Sequence, residues 1–138
     1  MTSKEVLDKF DKIRAHKHQG KPSPHKAVLI IYALEKTLDG KEWISFEEAE
    51  EPLKLLLNKH GHGTNPRPEY PFVRLVNDGI WETKALETLN PSQDYSASKL
   101  KQLQANGRIL PEITTALKKD SELANGVLFM LRKNFRLE

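Results

Sequence analysis

Apolar side chains recur at helical spacing through most of the chain. Val6, Leu7, Phe10 and Ile13 fall on one stripe behind Thr2 or Ser3, either of which supplies an N-cap, and this first helix is predicted to end near a basic loop. The second helix has the clearest signals. Ser23 is its expected N-cap and Pro24 its first helical residue; Ala27, Val28, Ile31, Leu34 and Leu38 face inward, and Gly40 closes it. Trp43 to Phe46 predicts a short strand or an extended lead-in, since Trp, Ile and Phe favour strands. A third helix runs to about His60 on Leu53, Leu56 and Leu57, and Pro52 sets its expected start close to that residue and not at Ser45.

Beyond it the pattern changes. Residues 61–69, GHGTNPRPE, hold two glycines and two prolines and predict a surface loop. In YPFVRLVNDGIWETK, two apolar runs flank Asn77, Asp78 and Gly79, which predicts a β-hairpin over residues 70–84. Three further helices are expected: Ser98 to Ala105 with Gly107 as its stop, one from Pro111, and a last one from Ser121 or Glu122 to about Asn134. No repeat occurs, and nothing alternates in the way of a parallel sheet. The expected fold is α+β, one helix-rich domain over residues 1–138 packed around a small antiparallel β-hairpin.

Composition narrows the class. At 138 residues, with 38% hydrophobic and 30% charged, the chain is sized for one core. No apolar run approaches the roughly 20 residues of a membrane span, and the start MTSKEVLDKF has no apolar signal region, so a cytoplasmic protein is expected. Without cysteine there is no disulfide, thiolate metal site or thiol nucleophile. The net charge of +3 permits a polyanionic partner without demanding one, and its distribution says more. RAHKHQGKPSPHK, from Arg14 to Lys26, carries Arg14, Lys17, Lys21, Lys26 and three histidines with no acid, while FEEAEE gathers Glu47, Glu48, Glu50 and Glu51. Either run also reads as an ordinary solvated face.

Candidate chemistry is sparse. His60 and His62 in HGHG lack a third ligand, and His16, His18 and His25 lie among lysines that repel a dication; phosphate contact or solvation suits them better. No phosphate-cradling glycine loop occurs, and the paired carboxylates belong to the acidic run. No catalytic residue, metal or cofactor is therefore assigned. The start of the second helix is the better site, because its amides and macrodipole favour an anion and its first turn carries His25 and Lys26. Trp43, Trp81, Phe46 and Phe72 sit beside other apolar residues and are expected in the core.

SPHKAVLIIYALEK followed by EYPFVRLVNDGIWE, with NGRILPEI and a closing LRKNF, resembles the sulfur-binding domain of phosphorothioate-dependent restriction endonucleases over most of the chain. That resemblance implies a reader of duplex DNA in which sulfur replaces one non-bridging phosphate oxygen, the recognition module of a modification-dependent restriction system. It also implies a C-terminal HNH nuclease in the parent protein, a part with no counterpart here. The family's pocket residues fall on His25, Lys26, Tyr70 and Pro71; where the family has a small pocket residue this chain has Arg74, and a later basic residue falls near Lys99. The same reading sends Arg14, Lys17, His18, Lys21 and Ser23 toward phosphates and Asn65, Arg67, Asn77 and Asp78 toward base edges. A reader of unmodified or differently modified duplex, and a protein-interaction adaptor built on the acidic run, remain as alternatives.

Overall fold

The computed structural model describes residues 1–15, 17–18, 21–60 and 66–137, with Lys17, His18 and Lys21 described by their backbone alone. Helix α1 (Ser3–Asp11) starts at Thr2, whose hydroxyl accepts from the Glu5 amide while the Glu5 carboxylate accepts from the Thr2 amide, a reciprocal capping box. Two short strands follow in the basic segment, β1 (Lys17–His18) and β2 (Lys21–Pro22), paired antiparallel.

Helix α2 (His25–Leu38) is the centre of the molecule. Ala27, Val28, Leu29, Ile30, Ala33 and Leu34 are all buried, a ring wider than the single stripe the spacing predicts. Leu38, expected inward, is exposed on the last turn, and Gly40 follows in the left-handed region at φ 104°.

Strand β3 (Ile44–Ser45) leads directly into α3 (Phe46–His60), six residues before the proline that was expected to start that helix. The reason is a second capping box: the Ser45 hydroxyl accepts from the Glu48 amide at 3.1 Å and the Glu48 carboxylate accepts from the Ser45 amide at 2.8 Å. Phe46, Ala49, Leu53 and Leu57 then bury one face, and this burial outweighs the single backbone bond that Pro52 removes.

The hairpin expected over residues 70–84 is absent. In its place α4 (Glu69–Arg74) passes into a 3-10 turn (Leu75–Asp78), and Gly79 at φ 74° ends that turn and leads to β4 (Trp81–Lys84). Pro71 sits at the third helical position, where its missing amide hydrogen has no intrahelical acceptor to lose; in a strand it would have removed a ladder bond. Phe72 and Leu75 repeat at three residues and both are fully buried.

Helix α5 (Ala97–Gln102) ends before Gly107, which does not stop a helix but lies within β5 (Asn106–Ile109), the middle strand of an antiparallel sheet ordered β3-β5-β4. Gly107 stands between Ile44 and Thr83. Helices α6 (Pro111–Lys119) and α7 (Ser121–Asn134) complete the chain where expected, with Asp120 capping α7 through the Leu123 amide.

One continuous core joins these elements. The helix-rich α+β class is as expected; the sheet is formed by other segments. An aromatic series, Phe46 against Phe72 and Phe72 against Trp81, both edge to face with centroids 5.3 and 5.4 Å apart, seats α4 on α3 and the sheet. The Trp81 indole donates to the Phe72 carbonyl at 2.9 Å. Trp43 departs from its expected core position: it is half-buried, with Lys84 and Arg108 each 4.1 Å from its ring.

Trp81 lies so close over β5 that a Cβ on residue 107 would stand 2.6 Å from its Cε2 and 2.8 Å from its Cη2. Gly107→Ala is expected to lower unfolding free energy by about 3 kcal/mol through overpacking. Urea unfolding checks this; an unchanged midpoint would contradict the packing described.

Candidate nucleic-acid interface

The first turn of α2, one side of α4, the 3-10 turn, the segment after α1 and the 90s loop border a cavity of about 1050 Å3 that is open to solvent on one side. Ser23, His25 and Lys26 line it from α2, Tyr70, Pro71 and Arg74 from α4, and Asn77 and Asp78 from the 3-10 turn. Lys12, Arg14 and Ala15 close it on the α1 side, and Ser92 and Asp94 on the loop side. A helix start, four cationic side chains, a proline ring and a tyrosine therefore share one recess.

Asp78 was expected on an exposed turn facing bases. Its side chain is instead only 3% exposed: one oxygen accepts the Arg14 amide at 2.9 Å, and the other lies 2.7 Å from Lys26 Nζ. The second contact is charge pairing and not a directed hydrogen bond, since that oxygen has no hydrogen-bonding donor among the described residues. Lys26 is 18% exposed and reaches the cavity with its ammonium held from behind.

His25 stands beside it in a different state. Burial pushes its imidazole below the ordinary value of 6.5, so the ring is neutral at pH 7. The Arg67 amide lies 3.4 Å from Nε2, a donor that requires Nε2 to accept, so the ring proton sits on Nδ1 and is donated to the Ser23 hydroxyl at 2.8 Å. Of the basic pair expected at the helix start, one member is a cation and the other a neutral, oriented ring. Ser23, expected as N-cap, lies 3.5 Å from the His25 amide and acts chiefly on the imidazole.

Arg74 Nε donates to Asp94 at 2.7 Å, with both side chains about half exposed at the rim. Asn77, expected to face bases, gives its amide to the Pro91 carbonyl at 3.0 Å and so fastens the 90s loop. The lining carries a surplus of two positive charges once Asp78 and Asp94 are set against Lys12, Arg14, Lys26 and Arg74.

Some expected residues lie elsewhere. Lys99 is on α5, which packs against α3, and does not line the cavity. Arg67 contributes its backbone while its side chain is exposed and outside the lining. Asn65 lies outside the described residues, as do the side chains of Lys17, His18 and Lys21. Lys12, Ala15, Ser92 and Asp94 were not anticipated; Lys12 extends the basic segment upstream, whereas Asp94 carries no sequence signal.

His16 and His62, weighed as metal ligands, lie outside the described residues, and the acidic run is partly internal. Glu50, expected on a solvated face, is buried and bonded to Lys101 at 2.8 Å, which holds its carboxyl below the usual range, with Lys54 at 3.4 Å. Among the described residues no group of three or more histidines or carboxylates is placed to hold a metal, and no helix is long and apolar enough to cross a membrane.

Solved structures share this fold. The sulfur binding domain of SprMcrA complexed with phosphorothioated DNA is 19% identical with a TM-score of 0.78, the match covering 99% of this chain and 86% of that one. The sulfur binding domain of ScoMcrA complexed with phosphorothioated DNA is 18% identical with a TM-score of 0.80, covering 95% and 87%. The Type IV phosphorothioation-dependent restriction endonuclease ScoMcrA matches at 17% identity and a TM-score of 0.82, over 94% of this chain and 29% of that longer one. At these identities the likeness is one of fold. No curated protein sequence matches the chain. The family description that matches it, over residues 3–136, is "ScoMcrA-like, DNA sulfur-binding domain".

The neutral His25 has a consequence for stability. Unfolded, it titrates near 6.5 and folded it titrates lower, so its contribution is intact above 6.5 and is lost as pH falls through 6.5 toward the folded value. Urea midpoints are expected to fall between pH 7.5 and 5.5 by more in the wild type than in His25→Asn. Equal pH dependence of the two would contradict the burial assigned to this ring.

Proposed function

Because the chain belongs to the ScoMcrA-like DNA sulfur-binding domain family, we propose that residues 1–138 act as one reader unit that grips a phosphorothioate of duplex DNA in the cavity between α2 and α4. What supports the placement is that Lys26 and the α2 amino end share one recess with Pro71 and Tyr70.

The chemistry follows from the ligand. A phosphorothioate keeps one negative charge, yet its sulfur is larger, more polarisable and less strongly hydrated than oxygen. Lys26 and the amides at the start of α2 address the phosphate oxygens. The edge of the otherwise buried Pro71 ring that reaches the cavity, with the half-buried Tyr70 beside it, receives the sulfur. At about 25 cal/mol per Å2, covering a few tens of Å2 of apolar surface is worth on the order of 1 kcal/mol, a several-fold preference. Oxygen in the same place loses its water without gaining a replacement hydrogen bond, which widens the gap. Lys12, Arg14 and the lysines of the β1 and β2 segment add sequence-independent affinity that weakens steeply with salt.

Reading needs no bond to be broken, and the chain has no catalytic role in this account. In the parent protein, cutting falls to another domain, an HNH nuclease by resemblance, and the whole works in the cytoplasm as part of a restriction system.

Paired duplexes with and without one phosphorothioate, measured at several salt concentrations, test the reading. The wild type is expected to bind the modified duplex more tightly at every salt. Pro71→Ser and Tyr70→Ala are expected to reduce the ratio by several-fold, about 1 kcal/mol, whereas Lys26→Ala weakens both duplexes. Equal binding of the two duplexes by the wild type would leave a reader of unmodified DNA; binding of neither at low salt would favour an adaptor.

A further inference from the structure

We infer that Asp94 is a specificity-determining residue, which limits the positive charge available in the cavity by holding Arg74 and so disfavours an ordinary phosphate more than a phosphorothioate. This rests on the reading of the cavity as the phosphorothioate site. Asp94 touches no DNA in the proposal; it acts through Arg74.

The geometry is built for that purpose. Arg74 and Asp94 both line the recess, with Nε 2.7 Å from the carboxylate. The loop that carries Asp94 is tied to the 3-10 turn through Asn77 and braced by bonds of its own. Asn77 reaches from the 3-10 turn to the Pro91 carbonyl at 3.0 Å; the Asn90 amide donates to the Tyr95 hydroxyl at 2.9 Å; and the Ser92 amide donates to the Asn90 side chain at 2.9 Å. The Tyr95 hydroxyl in turn donates to Gln93 at 3.1 Å. The Asp94 carboxylate therefore stands at the rim on a braced loop, about half exposed and facing Arg74.

The cavity thus contains two matched pairs, Lys26 with Asp78 and Arg74 with Asp94. An anion entering it meets cations whose charge is already partly answered. An ordinary phosphate oxygen, being strongly hydrated, needs that charge to replace the water it gives up. The thio ester sheds water more readily and gains contact with Pro71 and Tyr70, so it depends on the charge less. Removing the Asp94 charge releases Arg74 to the rim, and the oxygen ester benefits most.

Asp94→Asn keeps the size of the side chain and removes its charge, so binding of the full chain to the same paired duplexes is the direct test. Affinity for the plain duplex is expected to rise about fivefold, as befits a half-exposed charge, with a smaller gain for the modified one, so the ratio falls. Asp94→Glu is expected to retain most of the wild-type ratio, and Arg74→Ala placed on Asp94→Asn to abolish the gain. Circular dichroism establishes that each variant is folded. Equal gains on both duplexes, or none, would overturn the inference while leaving the cavity reading intact. A wild type that shows no preference for the modified duplex would overturn both.

Discussion

Asp78 offers one carboxylate oxygen to the Arg14 amide and the other to the Lys26 ammonium, and through these two contacts the tail of α1, the start of α2 and the end of the 3-10 turn meet at one point. With the side chain of Asp78 3% exposed and that of Lys26 18%, the pair lies between a surface salt bridge and a fully buried one. Desolvation cancels much of its attraction, so its net contribution to stability is modest. Losing one partner would be costly, about 3–5 kcal/mol for a fully buried pair and less here because Lys26 retains some water. The lasting effect is on geometry. Lys26 is an otherwise flexible cation, and Asp78 fixes where its charge points.

The opposite wall of the cavity is seated on the core as well. The edge-to-face contacts of Phe46, Phe72 and Trp81 seat α4 on the sheet, and the close approach of Trp81 to Gly107 leaves it little freedom to shift. Pro71 and Tyr70 are adjacent in sequence to Phe72, so the ring proposed to meet sulfur is placed by the core and the cation by the ion pair. Charge and apolar surface thus border the cavity from two elements, α2 and α4, that also pack on each other. A site of this kind gains selectivity from a difference between two anions of equal charge, which long-range electrostatics cannot supply.

Much of this was legible in the sequence, and the exceptions share a cause. Helices with continuous apolar stripes, α1, α2, α6 and α7, lie where their spacing places them, the first and last with side-chain caps. Asn77-Asp78-Gly79 is a turn signal and so predicts a hairpin from Tyr70 to Lys84; a glycine in the left-handed region also ends a helical turn, and only tertiary packing decides between the two. The Ser45–Glu48 capping box, which starts seven residues before Pro52, outweighs that one unfavourable residue. Gly107 looked like a helix stop because the indole that requires its missing side chain is contributed by residue 81. His25, Lys26, Tyr70 and Pro71 line one cavity, while Asp78 and Asn77, polar and beside a glycine, hold the protein's own chain. Asp94 was invisible, since nothing local to its sequence marks the arginine it faces.

The location of the sulfur atom tests the central claim most directly. In a crystal of this chain with a duplex bearing one phosphorothioate, anomalous scattering is expected to place the sulfur within about 4 Å of the Pro71 ring, with the same phosphate's oxygens toward Lys26. Sulfur lying instead against the outer face of the sheet, near Trp43, Lys84 and Arg108, would contradict it.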